Sequence, residues 1–233
     1  SKQSPECSID SLPQSWAVLT GAADPARAAQ AMDAVRERLV DPDLGLIRLF
    51  DPPFDKGETD PGYIKGYVPG VRENGGQYTH AAVWAVTAFA RMRRAREAWD
   101  LFRMINPIRH GDSPEAIARY RVEPYVVAAD VYTVAGHEGR GGWTWYTGSA
   151  AWMYRLLTEE LLGLQRQGDR LILAPVLPPD WDGYAIHYRY ASAMYHIHVT
   201  VAGAETWTVR RLVVDGQPCP DGRIPLQDDG REH

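Results

Sequence analysis

The sequence predicts a mainly helical unit followed by an all-β tail. Three observations carry that reading. Apolar residues recur every three or four positions through the first two-thirds of the chain, as at Ala28, Met32, Val35 and Leu39. In the last third they alternate instead, as in YAIHYRYASAMYHIHVTV at 184–201. The change falls between residues 163 and 170, without any internal repeat, which divides the chain into helices over 1–165 and strands over 166–233.

Each element has a local reason. Asp24-Pro25 supplies a cap and a first-turn proline for the helix that ends near Leu39. From Asp51 to Tyr78 the chain is crowded with Pro and Gly. Loops beyond roughly 12–15 residues without regular structure are uncommon and usually functional. A long helix is expected from Thr79 to about Ile105, with Val83, Val86, Ala90, Trp99 and Phe102 as its buried stripe. Short helices are expected over Pro114–Tyr120 and Glu123–Tyr132. Thr147 opens the last helix as its N-cap, with Met153, Leu156, Leu157 and Leu161 on one face and an end near Gly163. Strands follow at 170–173, 184–201 (a hairpin bending near Ala191-Ser192-Ala193) and 207–214. Asp215-Gly216 and Asp221-Gly222 supply turns.

Composition narrows the function. The net charge of −5, with both signs interspersed, argues against a nucleic-acid surface. No apolar run is long enough to span a bilayer. Cys7 and Cys219 lie far apart in the sequence and have no metal-ligand spacing, so neither a disulfide framework nor a metal centre is expected. His196 and His198 face the same way on a strand but lack a third ligand in the pattern. Eight Trp and twelve Tyr against four Phe favour rings with a polar tip, which suit sugar sites as well as large cores.

Two stretches carry candidate chemistry. In GRGGWTWYTGSAAWMYR, at 139–155, glycines lead through Trp143 and Trp145 to a helix start at Thr147-Gly148-Ser149. The first amides of a helix lack intrahelical partners and favour an anion, and Gly148 leaves room for one. An ordinary capped helix start reads the same way. If 143–146 is extended, Trp143 and Trp145 share one side and Thr144 and Tyr146 the other. Those rings can stack on a sugar or fill a core. In ENGGQYTH, at 73–80, a Gly-Gly bend separates Glu73 from His80, which stands in the first turn of a helix. Glu73 fits sugar hydroxyls or open solvent, and His80 fits a second anion contact or a structural role.

Taken together, WAVLTGAADPARAAQAM, RENGGQYTHAAVWA, EPYVVAADVY and GRGGWTWYTGSAAWMYR resemble the C-terminal portion of the glycoside hydrolase family 94 phosphorylases. In form they are most similar to the phosphorylase-like region of cyclic β-1,2-glucan synthases. The resemblance implies the last helices of an (α/α)₆ barrel followed by a β-sandwich cap. It also implies inverting phosphorolysis of β-glucans to a sugar 1-phosphate, with inorganic phosphate as co-substrate and no other cofactor. By position, Thr147, Gly148 and His80 would hold phosphate. Glu73 and Arg72 would bind saccharide, with Trp143 and Trp145 lining it. The physics is coherent, because phosphate is already an anionic nucleophile and needs positioning more than a base.

The family's general acid lies in an Asp-Trp-Asn-Asp-Gly motif that this sequence lacks. Asp180-Trp181-Asp182-Gly183 resembles it only superficially, between predicted strands. The resemblance therefore implies a fragment, inactive alone, whose incomplete barrel would self-associate or bind the missing N-terminal part of the same enzyme. It further implies a cytoplasmic location, with a parent anchored in the inner membrane. Two other readings stay open: an inverting glycosidase using a pair of loop acids, and a non-catalytic carbohydrate-binding module.

Overall fold

Asp10 opens the first helix: its carboxylate accepts the Leu12 amide at 2.8 Å, and α1 runs over Ser11–Leu19. The computed structural model describes residues 4–58, 60–178, 180–201, 209 and 211–233. Helix α2, Pro25–Arg38, is capped by Asp24, which accepts the amides of Ala26 and Arg27. It buries Ala28, Met32 and Val35, the residues its spacing selects.

The single helix expected over 79–105 is two, α3 at Thr79–Arg91 and α4 at Ala95–Ile105. The break sits at Arg93, in the left-handed region at φ 60°. There the Arg94 amide bonds the Phe89 carbonyl and the Arg93 amide the Ala90 carbonyl, a left-handed cap that ends α3, while the Arg94 guanidinium reaches Asp33 of α2 at 2.7 Å and also binds Glu97. No Gly or Pro marks this break in the sequence.

Helix α5, Pro114–Tyr120, is capped by the Ser113 hydroxyl. The helix expected over Glu123–Tyr132 does not form. Instead Asp130–Val131 pairs antiparallel with Gln77–Tyr78, and Ala128 and Val131 are buried in the core. That tertiary pairing outweighs the local preference. Helix α6, Thr147–Arg155, continues into a wider π-type turn at Leu156–Leu161.

At the centre is α3, which lies against α1, α2, α4 and α6. Ala81, Ala82, Val83, Ala85, Val86, Ala88, Phe89 and Ala90 are all buried, the all-round burial of a core helix. Among the described residues these helices do not close into a barrel.

The long Asp51–Tyr78 segment contains one short 3₁₀ turn, Gly62–Gly66, and is otherwise pinned by side chains. Asn74, fully buried, donates to the carbonyls of Phe54 and Tyr67 and accepts the Phe54 amide, each at 2.8 Å. Gln77 likewise accepts the Ile47 amide at 2.9 Å. Asn74→Ala leaves three backbone groups without partners, and a loss of about 2–4 kcal/mol in denaturant unfolding is expected. An unchanged midpoint would show that the loop does not depend on Asn74.

The chain divides into two compact units, Ser1–Leu156 and Leu157–His233, so residues 157–165 fall with the strands. In the second unit Leu164–Gln167, Arg170–Leu173 and Arg223–Pro225 make a three-stranded antiparallel sheet. Gly183–Tyr190 and Ala193–Thr200 form a hairpin in which Ala193 faces Tyr190, with Ala191 at φ 48° in the turn. Leu171, Leu173 and Ile224 from the sheet share one core with Ala193, Tyr195 and Ile197 from the hairpin. Of the strand expected over 207–214, residues 207, 208 and 210 lie outside the described residues, and only Val213–Val214 is strand among the rest. Val213–Val214 pairs with Gln217–Pro218 through the Asp215-Gly216 turn. Among the described residues no helix is long and apolar enough to cross a membrane.

Candidate functional site

His80 is placed by α3 and by a column of rings. It stacks on Tyr78 at 5.6 Å and lies 6.0 Å from Trp84, one turn further along the helix. Trp84 in turn meets Trp152 of α6 edge to face at 5.5 Å. The column aims the imidazole at the start of α6. A Cβ built on Gly148 would stand 2.9 Å from His80 Nε2 and 3.3 Å from Cε1. Glycine at 148 is what allows the imidazole to approach the helix start so closely. Burial lowers the His80 pKa, so the ring is neutral at pH 7.

Thr147 is the first residue of α6 and not its cap. The cap position belongs to Tyr146, whose side chain makes no capping hydrogen bond. The Ser149 hydroxyl donates back to the Tyr146 carbonyl at 3.1 Å. Thr147 and Gly148 are exposed. A helix start of this kind, uncapped and faced by an imidazole, is suited to an oxyanion.

Arg72 and Glu73 build the neighbouring part. Arg72, at φ 51°, lays its guanidinium 5.0 Å from the ring centre of Trp143 and 5.4 Å from that of Tyr67. Its side chain also hydrogen-bonds Tyr146, and Arg72 Nε lies 3.8 Å from Glu73 Oε2. Tyr78 joins the two halves, stacking on His80 while its phenol, raised by burial and then by the Glu73 carboxylate, feels both Glu73 and Arg72. Arg72 Nε, Glu73 Oε2 and His80 Nδ1 are all buried without a hydrogen-bond partner. The first two of these atoms face each other across the Arg72–Glu73 ion pair.

Sequence reasoning missed Asp130. Buried to 1% exposure, its carboxylate accepts the Arg72 amide at 3.2 Å and the Trp143 amide at 3.1 Å. It stitches the two candidate stretches together. Gly142 lets the chain cross it, since a Cβ there would overlap the carboxylate. Burial raises the Asp130 pKa, against the amides of Trp143 and Arg72. The available signal was a lone acid in the apolar run VVAADVY, where an unpaired charge would be costly.

The two tryptophans part company. The alternation expected over 143–146 is broken by Trp145 at φ 63°, whose indole donates to Glu123 at 3.1 Å. Trp143 instead meets Tyr146 edge to face at 5.9 Å. Both tryptophans are exposed. In the second unit, His196 has a neighbour that sequence reasoning overlooked: His187 Nδ1 lies 2.7 Å from His196 Nδ1 across the hairpin. Among the described residues no three His, Cys, Asp or Glu gather to hold a metal.

A helix start faced by an imidazole, beside the Arg72–Glu73 pair and exposed indoles, is suited to a polar ligand. Residues 1–163 match the family profile "Glycosyl hydrolase 94 superfamily, catalytic domain". The chain belongs to that family. It is similar to the cyclic beta-(1,2)-glucan synthase NdvB of Rhizobium meliloti (strain 1021), with 54% identity over 86% of this chain and 7% of the synthase. It is also similar to the N,N'-diacetylchitobiose phosphorylase of Vibrio proteolyticus, with 33% identity over 93% of this chain and 26% of the enzyme. The solabiose phosphorylase of Paenibacillus borealis is 30% identical over 94% of this chain and 28% of its own length. The chain thus spans about a quarter or less of these relatives.

Proposed function

We propose that this chain carries the phosphate-binding side, with part of the saccharide surface, of an enzyme that cleaves β-glucans by inverting phosphorolysis to a sugar 1-phosphate. One observation carries the reading: the His80 imidazole stands over the uncapped start of α6 at Gly148. In this reading the first amides of α6, the Thr147 hydroxyl and His80 fix phosphate for attack on the anomeric carbon. Arg72, Glu73 and Trp143 orient the sugar, and Trp145 extends the aromatic surface. The proton donor to the leaving oxygen comes from the N-terminal part of the same enzyme. The helices belong to an (α/α)₆ barrel and the strands to its β-sandwich cap, and the domain works in the cytoplasm. The similarity to several phosphorylases supports this reading.

Phosphate titrated into the chain is expected to shift the His80 ring resonances, and His80→Ala to weaken binding about tenfold. Saturable binding that ignores His80→Ala would refute the reading. The pH dependence has a definite sign. Burial lowers the pKa of His80, and a bound anion raises it, so binding takes up a proton between those two values. Affinity for sulfate, which does not titrate in this range, should rise as pH falls from the bound-state pKa to the free-state pKa. A flat profile would place the anion elsewhere.

A further inference from the structure

A cleft of about 370 Å³ opens between residues 42–45 and helices α4 and α5. It is of ligand-binding size, and none of the residues placed above in the phosphate or saccharide site lines it. Arg103, Arg109 and Arg119 converge on it, with Asp43, His110 and Tyr120 completing the polar wall. The lining carries three guanidiniums and one carboxylate, with Asp100 and Asp112 standing beside Arg103 and Arg109.

The arginines are loosely held. Arg103 lies 3.6 Å from Asp100, Arg109 lies 3.4 Å from Asp112, and Arg119 reaches the Asp43 carbonyl at 3.4 Å. Each guanidinium has five N–H donors, and contacts this long leave most of them open. Arg109 and Arg119 are exposed, so a ligand can reach them.

The wall between them is built rather than incidental. His110 stacks on Tyr120 at 4.7 Å with the planes 19° apart. Its ring donates to the Met104 carbonyl, and Nε2 is left buried without a partner. Tyr120 is buried, which pushes its phenol up to about 12, so it stays neutral beside an anion. We propose that this cleft binds the phosphate monoester of a small hydroxylated molecule, separately from the anion seat at α6. The arginines take the phosphate in the forked geometry suited to it. The remaining volume, larger than a phosphate group needs, takes the hydroxylated body.

Glucose 6-phosphate tests this, since it is not the product of the proposed phosphorolysis. Calorimetry and the His110 ring resonances should both report saturable binding to the chain. The double variant Arg109→Gln/Arg119→Gln, with its circular dichroism checked, should weaken binding at least about tenfold. His80→Ala should leave it unchanged, and restoring charge with lysine at both positions should recover part of it. Binding that survives the double variant, is lost with His80→Ala, or is equalled by inorganic phosphate or by glucose would overturn the proposal. So would no binding at millimolar concentration. Because the double variant leaves the α6 seat intact, this outcome is read independently of the phosphate titration at His80.

Discussion

Replacing Gly148 with alanine is expected to weaken phosphate binding about ten- to a hundredfold without destabilising the chain. The new methyl group would arrive 2.9 Å from His80 Nε2, so the imidazole must shift away from the helix start. Two anion contacts are then weakened at once, the imidazole by displacement and the amides by screening, at about 0.7–1.4 kcal/mol each. Stability moves the other way. Gly148 does not occupy the left-handed region, so alanine fits its backbone, and alanine in a helix is favoured over glycine by roughly 0.5–1 kcal/mol. Function and stability therefore separate in one substitution. A Gly148→Ala chain that binds phosphate as tightly as the parent would remove the reason for placing the anion there.

Asp130→Ala is expected to produce the largest loss of stability, about 2–5 kcal/mol in chemical unfolding. The amides of Arg72 and Trp143 lose their acceptor inside the protein, where water does not replace it. Asp130→Asn keeps one acceptor oxygen and should lose less. The pH dependence then distinguishes the carboxylate from mere bulk. Burial raises the Asp130 pKa in the folded chain, so its contribution is fully present below the unfolded value of about 3.9. That contribution is lost as pH rises through the folded value. The stability gap between the parent and Asp130→Asn should therefore narrow with rising pH over that window. A constant gap would mean that the carboxyl group does not titrate differently in the two states.

Much of the helical unit was legible because its signals are local. Asp24-Pro25 and Ser113-Pro114 cap their helices with their own side chains, and both helices stand where those residues put them. The break at Arg93 was not legible, because an arginine takes the left-handed cap position where glycine would have marked it. Nor was the loss of the helix at 123–132, which depends on Asp130–Val131 pairing with Gln77–Tyr78. The site divides along the same line. Arg72, Glu73, His80, Thr147 and Gly148 were picked out by the family resemblance, since their residue types alone also fit an ordinary loop and helix start. Asp130 sits in an apolar run and is recognised only by what it accepts. Trp145 illustrates a third limit, since a left-handed φ at a tryptophan has no sequence signal and turned that ring toward Glu123.

The ring column beneath the proposed anion seat also sets a spacing. Trp84 follows His80 by one turn of α3, and Trp152 follows Gly148 by one turn of α6. The indole pair is therefore a feeler gauge for the gap above it, holding the two helices at the width of one aromatic edge against one aromatic face. A smaller ring at either position is expected to narrow the gap, and the phosphate proposed to enter there would fit less well.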